Sequence, residues 1–368
     1  MRETALRLAN WLLKARSAPP EVRLDGLQRI VVIKPCCLGD MLMATPVLRA
    51  LDQHAQNAEI AVVTGDWTRP AVETNPRISG LMSYPANGPI QTALKLGWQL
   101  RGMKIDLGIS LDRSPIPALA MRIAGIPIRA GIDSQGRGVG LTHSIEPDPE
   151  QHETDLYLST LTALGLEDLS TYPEYHVSDE SLRSTIDRLP SGTPGRPLVI
   201  IHPGGAVNPG VAMLEKRWPA TSYGELASLL GHEANATVVL VGSESDQNAA
   251  STVREFARGP LIDLCGQLSL DELAAIVSRA SLYVGNDSGT THLASAVGTP
   301  VVAIFGPTSP RMYRPLGRRT RICAPSESWD LEPVVDLRQH DRSQRPDIAR
   351  VPLPEVLNAC MDLLKGKS

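Results

Sequence analysis

A repeated rhythm constrains this chain more than any single residue does. Short β-branched runs alternate with helix-forming stretches, and the alternation breaks near residue 185 and restarts near 198. Arg29-Ile-Val-Val-Ile33 is apolar without polar alternation, the pattern of a parallel strand buried on both faces. A helical pattern follows from Met41 to His54, and a strand from Glu59 to Val63. A helix over Trp67 to Asn75 should end at Pro76. Gly80 to Tyr84 reads as strand, Thr92 to Arg101 as helix, Leu107 to Leu111 as strand, Ile116 to Ala124 as helix and Ile128 to Ile132 as strand. Residues 185–197, rich in Pro, Gly and Ser, form the expected linker. After it come strands at Leu198 to Ile201, Thr237 to Val241, Leu261 to Leu264, Leu282 to Val284 and Val301 to Phe305. Helices are expected at Ser222 to Leu230, Gln247 to Ala257 and Leu270 to Ser278. Such alternation implies α/β architecture with two doubly wound parallel sheets.

Length agrees, since 368 residues suit two domains. The formal net charge is −4 and aromatic residues make up 4 %, which argues against a nucleic-acid platform. Five cysteines, at 36, 37, 265, 323 and 360, are odd in number and form no C-x-x-C, so neither a disulfide framework nor a zinc site is suggested, and a reducing cytoplasm is the simplest setting. No apolar run is long enough to span a bilayer. The first 25 residues form a basic amphipathic segment, with Ala5, Leu6, Leu8, Leu12 and Leu13 among Arg7, Lys14 and Arg16. It suits either its own domain or an anionic membrane surface.

Four places carry polar chemistry beside glycine. Strand one runs into Lys34-Pro-Cys-Cys-Leu-Gly-Asp40, and loops at the C-terminal ends of parallel strands face the ligand crevice. Gly39-Asp40 therefore presents a carboxylate there, although Asp40 also fits as a helix N-cap or first-turn dipole partner. Cys36 and Cys37 read as small apolar residues. The second half opens with His202-Pro-Gly204-Gly205, followed by Lys216-Arg217-Trp-Pro219; glycines let backbone approach phosphate and the two cations can offset a diphosphate. Trp218 and Pro219 are expected to set the packing of the following helix. The strand Val238 to Val241 ends in a turn carrying Glu244 and Asp246. Either acid could accept hydrogen bonds from ribose hydroxyls. Finally, Asn286-Asp287-Ser288-Gly289-Thr290-Thr291-His292 joins a strand to a helix N-terminus, which offers unpaired N–H groups and partial positive charge to an anion.

The run from Asp287 to Pro310 resembles the signature of glycosyltransferase family 9, the bacterial heptosyltransferases, where D-[ST]-G-x-x-H-L-A-x-A-x-G-T-P-x-V-x-[LI]-F-G-[PS]-T-x-P is expected. Gly39-Asp40 through Thr45, Pro46 and Leu48, and H-P-G-G with Lys216-Arg217-Trp218-Pro219, match two further motifs of that family. The resemblance spans about residues 29 to 317. It departs at the strand end, where the family often has Arg and this chain has Lys34, and at the unusual Cys36-Cys37 pair.

The resemblance implies a GT-B fold, two Rossmann-like doubly wound domains facing a central cleft. The expected division is 1–190 for the acceptor, 197–350 for the nucleotide-sugar donor, and a helix in 351–368 that could pack back on the first domain. It also implies an inverting, metal-independent transfer of a heptose or related sugar from an ADP-sugar such as ADP-heptose, with Asp40 as general base. His202, Gly204, Gly205, Lys216, Arg217, Asp287, Ser288, Gly289, Thr290, Thr291 and His292 would hold the donor, with Glu244 or Asp246 at the nucleoside. Lys34, Gly39, Asp112, Arg113 and Arg129 would face an anionic carbohydrate or glycolipid acceptor. Some family members bind metal through a C-terminal cysteine cluster; this tail has none, so no metal is expected. A cytoplasmic enzyme of lipopolysaccharide or other surface-glycan assembly, with peripheral contact to the inner membrane, is the implied setting. Alternatives of the same architecture are a natural-product glycosyltransferase with a small soluble acceptor, a sugar-nucleotide epimerase, and a non-catalytic nucleotide-binding module.

Overall fold

The computed structural model describes residues 22–85, 91–189, 196–208, 211–332 and 345–366. The amphipathic segment expected over 1–25 lies outside the described residues except for its end, where Leu24–Gly26 forms a 3-10 turn.

The chain folds as two units, 1–171 and 172–368. In the first, strands β1 (Arg29–Ile33), β2 (Glu59–Thr64), β3 (Gly80–Ser83), β4 (Leu107–Ser110), β5 (Ile128–Ile132) and β6 (His143–Ile145) make one sheet in the order β3-β2-β1-β4-β5-β6. Every pairing is parallel. Its helices are α1 (Leu38–Met43), α2 (Thr45–His54), α3 (Gln91–Arg101), α4 (Pro115–Ala124) and α5 (Glu153–Thr162). One core layer joins Val31, Ile33 and Val63 of the sheet to Leu96 and Leu100 of α3 and Ile116 and Met121 of α4. The helices α3 and α4 approach closely at Gly97, where a Cβ would meet the Ile123 side chain at 2.7 Å.

The second unit repeats the plan. Helix α6 (Asp179–Ser184) precedes β7 (Leu198–His202), a short antiparallel pair β8 (Val207–Asn208) and β9 (Val211–Ala212), α7 (Ala220–Glu233), β10 (Thr237–Leu240), α8 (Gln247–Phe256), β11 (Leu261–Asp263) and α9 (Leu270–Val277). Then follow β12 (Leu282–Asn286), α10 (Gly289–Ala296), β13 (Val301–Ile304), α11 (Pro310–Tyr313), β14 (Thr320–Cys323) and α12 (Leu353–Leu364). The sheet order β11-β10-β7-β12-β13-β14 is that of the first unit shifted along the chain, again fully parallel. In each unit the first and fourth strands are neighbours, so the strand order reverses direction between β1 and β4 and between β7 and β12. That switch point is where parallel open sheets open a crevice for ligands.

Two boundaries differ from expectation. The chain enters the second unit near residue 172 rather than at the Pro/Gly-rich stretch, because Tyr175 and Ser178 hydrogen-bond to Asp271 at the start of α9 (Tyr175 Oη to Oδ1, 3.1 Å; Ser178 Oγ to Oδ2, 2.5 Å). The last helix, expected as a return to the first domain, belongs to the second unit: Val356, Cys360 and Leu363 are buried in the core with Tyr223, Leu226, Val302 and Cys323. The helix expected over Trp67 to Asn75 shrinks to a 3-10 turn at Arg69–Ala71. The Thr68 hydroxyl donates to the carbonyls of Gly65 and Pro35, and Pro70 falls in the first turn of the short helix.

Candidate active site

In the first unit the loop after β1 delivers Asp40 as the third residue of α1. Its Oδ2 accepts from the Cys37 N–H at 3.3 Å, reciprocating the cap that the Cys37 side chain gives the helix. The expected N-terminal dipole role is thus real, but it uses one oxygen. Lys34 Nζ reaches the same Oδ2 at 3.4 Å. Among the described residues no other group bonds this carboxylate, which keeps 31 % of its side-chain surface exposed. Lys34 is buried, stacked 5.4 Å over the Tyr157 ring of α5. Beside it, Glu153 at the first position of α5 is buried and takes both Arg113 nitrogens, at 2.6 and 2.7 Å. Burial alone would raise the Glu153 pKa, but the Arg113 fork and the nearby Lys34 charge hold it below the ordinary carboxylate range.

Arg113 is therefore oriented by Glu153, a partner forty positions away that the sequence reading missed. Asp112 accepts from the Ser114 N–H at 2.5 Å, a turn that launches α4. Both lie just past β4, beside the switch point. Arg129 does not join them. It sits at the N-terminal end of β5, and its guanidinium donates to the carbonyls of Ile126, Pro127 and Gly140. These bonds clamp the α4–β5 turn and separate Arg129 from the Arg113–Glu153 pair. Cys36 and Cys37, read as independent small residues, are joined by a disulfide. Spacing rules detect bridges that close loops, and a bridge between neighbours closes none.

The second unit gathers its predicted residues into one network at the ends of β7, β10 and β12. Asp246 is buried: Oδ1 accepts from the Gly205 N–H (3.0 Å) and Arg217 Nη2 (2.8 Å), and Oδ2 from the Ser243 N–H (2.9 Å) and hydroxyl (2.7 Å), with His202 Nε2 at 3.5 Å. Desolvation opposes its ionisation, yet His202 and Ser243 outweigh it and push the pKa well below the usual range. Arg217 Nε also donates to the Gly205 carbonyl at 2.9 Å. Gly204 has no room for a Cβ, which would overlap the Asp246 carboxylate; Gly205, at φ +86°, would press a Cβ to 2.7 Å from that of Ser288.

Asp287 forms the second acidic anchor. It pairs with Lys216, accepts from the Thr308 hydroxyl at 2.6 Å, and lies 4.0 Å from His292 Nε2. Ser288 occupies the N-cap position of α10 without a side-chain cap bond; its hydroxyl lies 3.0 Å from that of Thr290, which bonds His202 Nδ1 at 2.8 Å. Lys216 and Arg217 are thus pre-positioned by acids rather than free. Of the two acids at the β10 turn, Asp246 has both oxygens occupied, whereas Glu244 is exposed.

Asn286 is the residue whose role the sequence reading missed. Fully buried, it accepts at Oδ1 from the Trp218 N–H and the Tyr223 hydroxyl, both at 2.9 Å. It donates through Nδ2 to the carbonyls of Pro203 (3.1 Å) and Gly204 (3.0 Å). This single amide ties the glycine loop to β12 and to the start of α7. Trp218 completes the tie by donating Nε1–H to the Val351 carbonyl at 2.9 Å and packing edge-on to Tyr223, as expected of a packing residue.

The chain is similar to known proteins in sequence and in fold. The model of glycosyltransferase family 9 (heptosyltransferase) matches residues 93–337. The chain belongs to glycosyltransferase family 9. Lipopolysaccharide heptosyltransferase 2 of Escherichia coli K12 is 30 % identical over 311 residues, which cover 80 % of this chain and 87 % of that protein. Lipopolysaccharide heptosyltransferase 3 of Escherichia coli is 28 % identical over 346 residues, 90 % and 97 % of the two chains. Among solved structures, a glycosyl transferase family 9 protein of Veillonella parvula superposes with a TM-score of 0.79 at 25 % identity, covering 94 % of this chain and 99 % of that one. The ADP-heptose lps heptosyltransferase II of E. coli does so with a TM-score of 0.72 at 27 % identity, covering 92 % and 99 %. The protein is a glycosyltransferase of α/β fold. Among its described residues no helix is long and apolar enough to cross a membrane.

Proposed function

We propose that this family 9 enzyme transfers a heptose or closely related sugar from an ADP-sugar to a hydroxyl of a lipopolysaccharide-type carbohydrate acceptor, with inversion and without a divalent metal. The observation that carries the reading is the contrast in how acids are used: Asp246 and Asp287 are buried and paired with cations, while Asp40 has one carboxylate oxygen with no bond to any described residue. The related heptosyltransferases, one of them an ADP-heptose enzyme, suggest the sugar and the nucleotide.

The mechanism follows from that division. The second unit binds the donor, with the backbone of Gly204 and Gly205 and the N-terminus of α10 against the diphosphate. Lys216 and Arg217, held by Asp287 and Asp246, stabilise the charge that grows as the sugar leaves. Glu244, rather than the fully occupied Asp246, accepts from the nucleoside hydroxyls. On the first unit, Arg113 and Lys34 favour an anionic acceptor, and Asp112 lies beside them. Asp40 takes the proton of the attacking hydroxyl as the new glycosidic bond forms and the bond to the diphosphate breaks, which inverts the anomeric carbon.

The test is a transfer assay with ADP-heptose and a heptose-deficient core oligosaccharide, read by ADP release and by the anomeric configuration of the product. Acceptor-dependent ADP release, an inverted product and a rate unchanged by EDTA are expected. Turnover of the donor without acceptor, or strict dependence on added Mg²⁺ or Mn²⁺, would contradict it.

A further inference from the structure

Helix α3 buries one face and leaves the other uncovered. Ala93, Leu96, Gly97 and Leu100 pack inward, whereas Leu94 is 52 % exposed and Trp98 66 % exposed. In a helix these two stand one turn apart on the same side, at i and i+4. An exposed Trp and Leu on one stripe cost hydration free energy unless something apolar receives them. The stripe is framed by cations: Arg101 lies 5.5 Å over the Trp98 ring, Lys95 follows Leu94, and Lys104 stands in the turn after the helix, all exposed. Between Glu73 and Asp106 the sequence holds no acidic residue. The carboxylate of Asp106 is itself occupied, accepting the N–H groups of Gln28 and Arg29 at 2.8 and 2.9 Å. A chain with a formal net charge of −4 thus carries Lys95, Arg101 and Lys104 beside an apolar stripe, with no acid on the helix itself.

We infer that the outer face of α3 is a docking surface for an anionic phospholipid bilayer. The chemistry fits on both counts. An indole ring with an adjacent guanidinium is at home among headgroups, the ring in the interfacial region and the cation on phosphate. Lysine and arginine beside it gain from the negative surface potential. An acidic protein partner would meet the cations but leave Leu94 and Trp98 without a matched slot, so the flat lipid interface is the better complement. In chain order the helix joins β3 to β4, and its buried side packs on Val31, Ile33 and Val63 of the sheet together with α4, which leaves the Leu94–Trp98 side outward.

The experiment is co-sedimentation of the full chain with vesicles of phosphatidylethanolamine and phosphatidylglycerol, against vesicles of phosphatidylcholine alone. The wild type should partition onto the anionic vesicles and come off with added salt. Trp98→Ser should weaken that partition on the order of tenfold, and Lys95→Glu with Arg101→Glu by about fivefold or more for each cation. Both variants should keep the wild-type unfolding midpoint, because none of the three side chains is in the core. Three results would overturn the inference: no binding of the wild type to anionic vesicles; wild-type binding by both variants, which places the contact elsewhere on the chain; or light scattering showing a dimer that Trp98→Ser splits, which makes a second copy the occupant.

Discussion

The two units share a sheet order and place their polar residues at the same topological spot, yet they treat charge in opposite ways. In the second unit Asp246 and Asp287 are buried and tied down, and only Glu244 of the same group of candidate residues is exposed. Asp246 takes hydrogen bonds from Gly205, Arg217 and Ser243, and Asp287 is held by Lys216 and Thr308. In the first, Asp40 is partly exposed and its neighbours both reach a single oxygen, at 3.3 and 3.4 Å. A saturated carboxylate cannot take a proton without breaking its network, and a loosely held one can. On the proposed function, the comparison teaches how one fold could serve binding where acids are spent on positioning and chemistry where an acid is left available.

Removing Asp40 should produce the largest change. Asp40→Asn is expected to lower kcat by about 10²–10⁴-fold, with the unfolding midpoint and nucleotide affinity unchanged. A steady-state assay within a few-fold of wild type would take Asp40 out of the reaction and dissolve the contrast.

The second unit should answer differently, in stability. Asp246→Asn leaves Arg217 and His202 facing a neutral amide in a buried network, a change that typically costs about 3–5 kcal/mol. The acid response sharpens the point. The folded-state pKa of Asp246 is depressed, so its stabilising contribution is complete above the unfolded value of about 4 and is lost as pH falls through the lower folded value. Thermal melts across that range should show a steeper acid loss for wild type than for Asp246→Asn. Equal slopes would mean that Asp246 is not held as an ion.

Lys216→Ala should have the smallest of the three effects, spread over donor affinity and turnover together. One charge-assisted contact is worth roughly 1.5–3 kcal/mol, or about 10- to 150-fold, and it exists in the ground state and strengthens as the diphosphate departs. Titration calorimetry with ADP beside the transfer assay separates the two; a loss confined to kcat would move Lys216 from donor binding to the transition state alone.

The sheets were legible because buried parallel strands are written as apolar runs, and Arg29–Ile33 and Leu198–His202 are unmistakable. Two edge strands went unread. His143–Ile145 and Thr320–Cys323 are short, polar and half-exposed, so burial never imposed the apolar pattern on them. The candidate site was legible wherever a motif is contiguous, as in Gly39-Asp40 or Asp287 to His292. It was illegible where partners are remote: Arg113 with Glu153, Lys34 with Tyr157, and Asn286 with the Gly204 carbonyl are contacts created by folding. Arg129, expected to face an anionic acceptor, has partners the sequence did not show either: its guanidinium donates to the carbonyls of the turn at Ile126 and Pro127.

The central claim is that donor binding belongs to the second unit and proton transfer to the first. Hydrogen exchange of the full chain with and without saturating ADP tests it most directly. Protection should concentrate at residues 202–205, 216–218 and 287–292, and should be the same in Asp40→Asn. Protection confined to residues 34–40 and 110–134 would contradict it, because the nucleotide would then sit on the sheet that carries the proposed base.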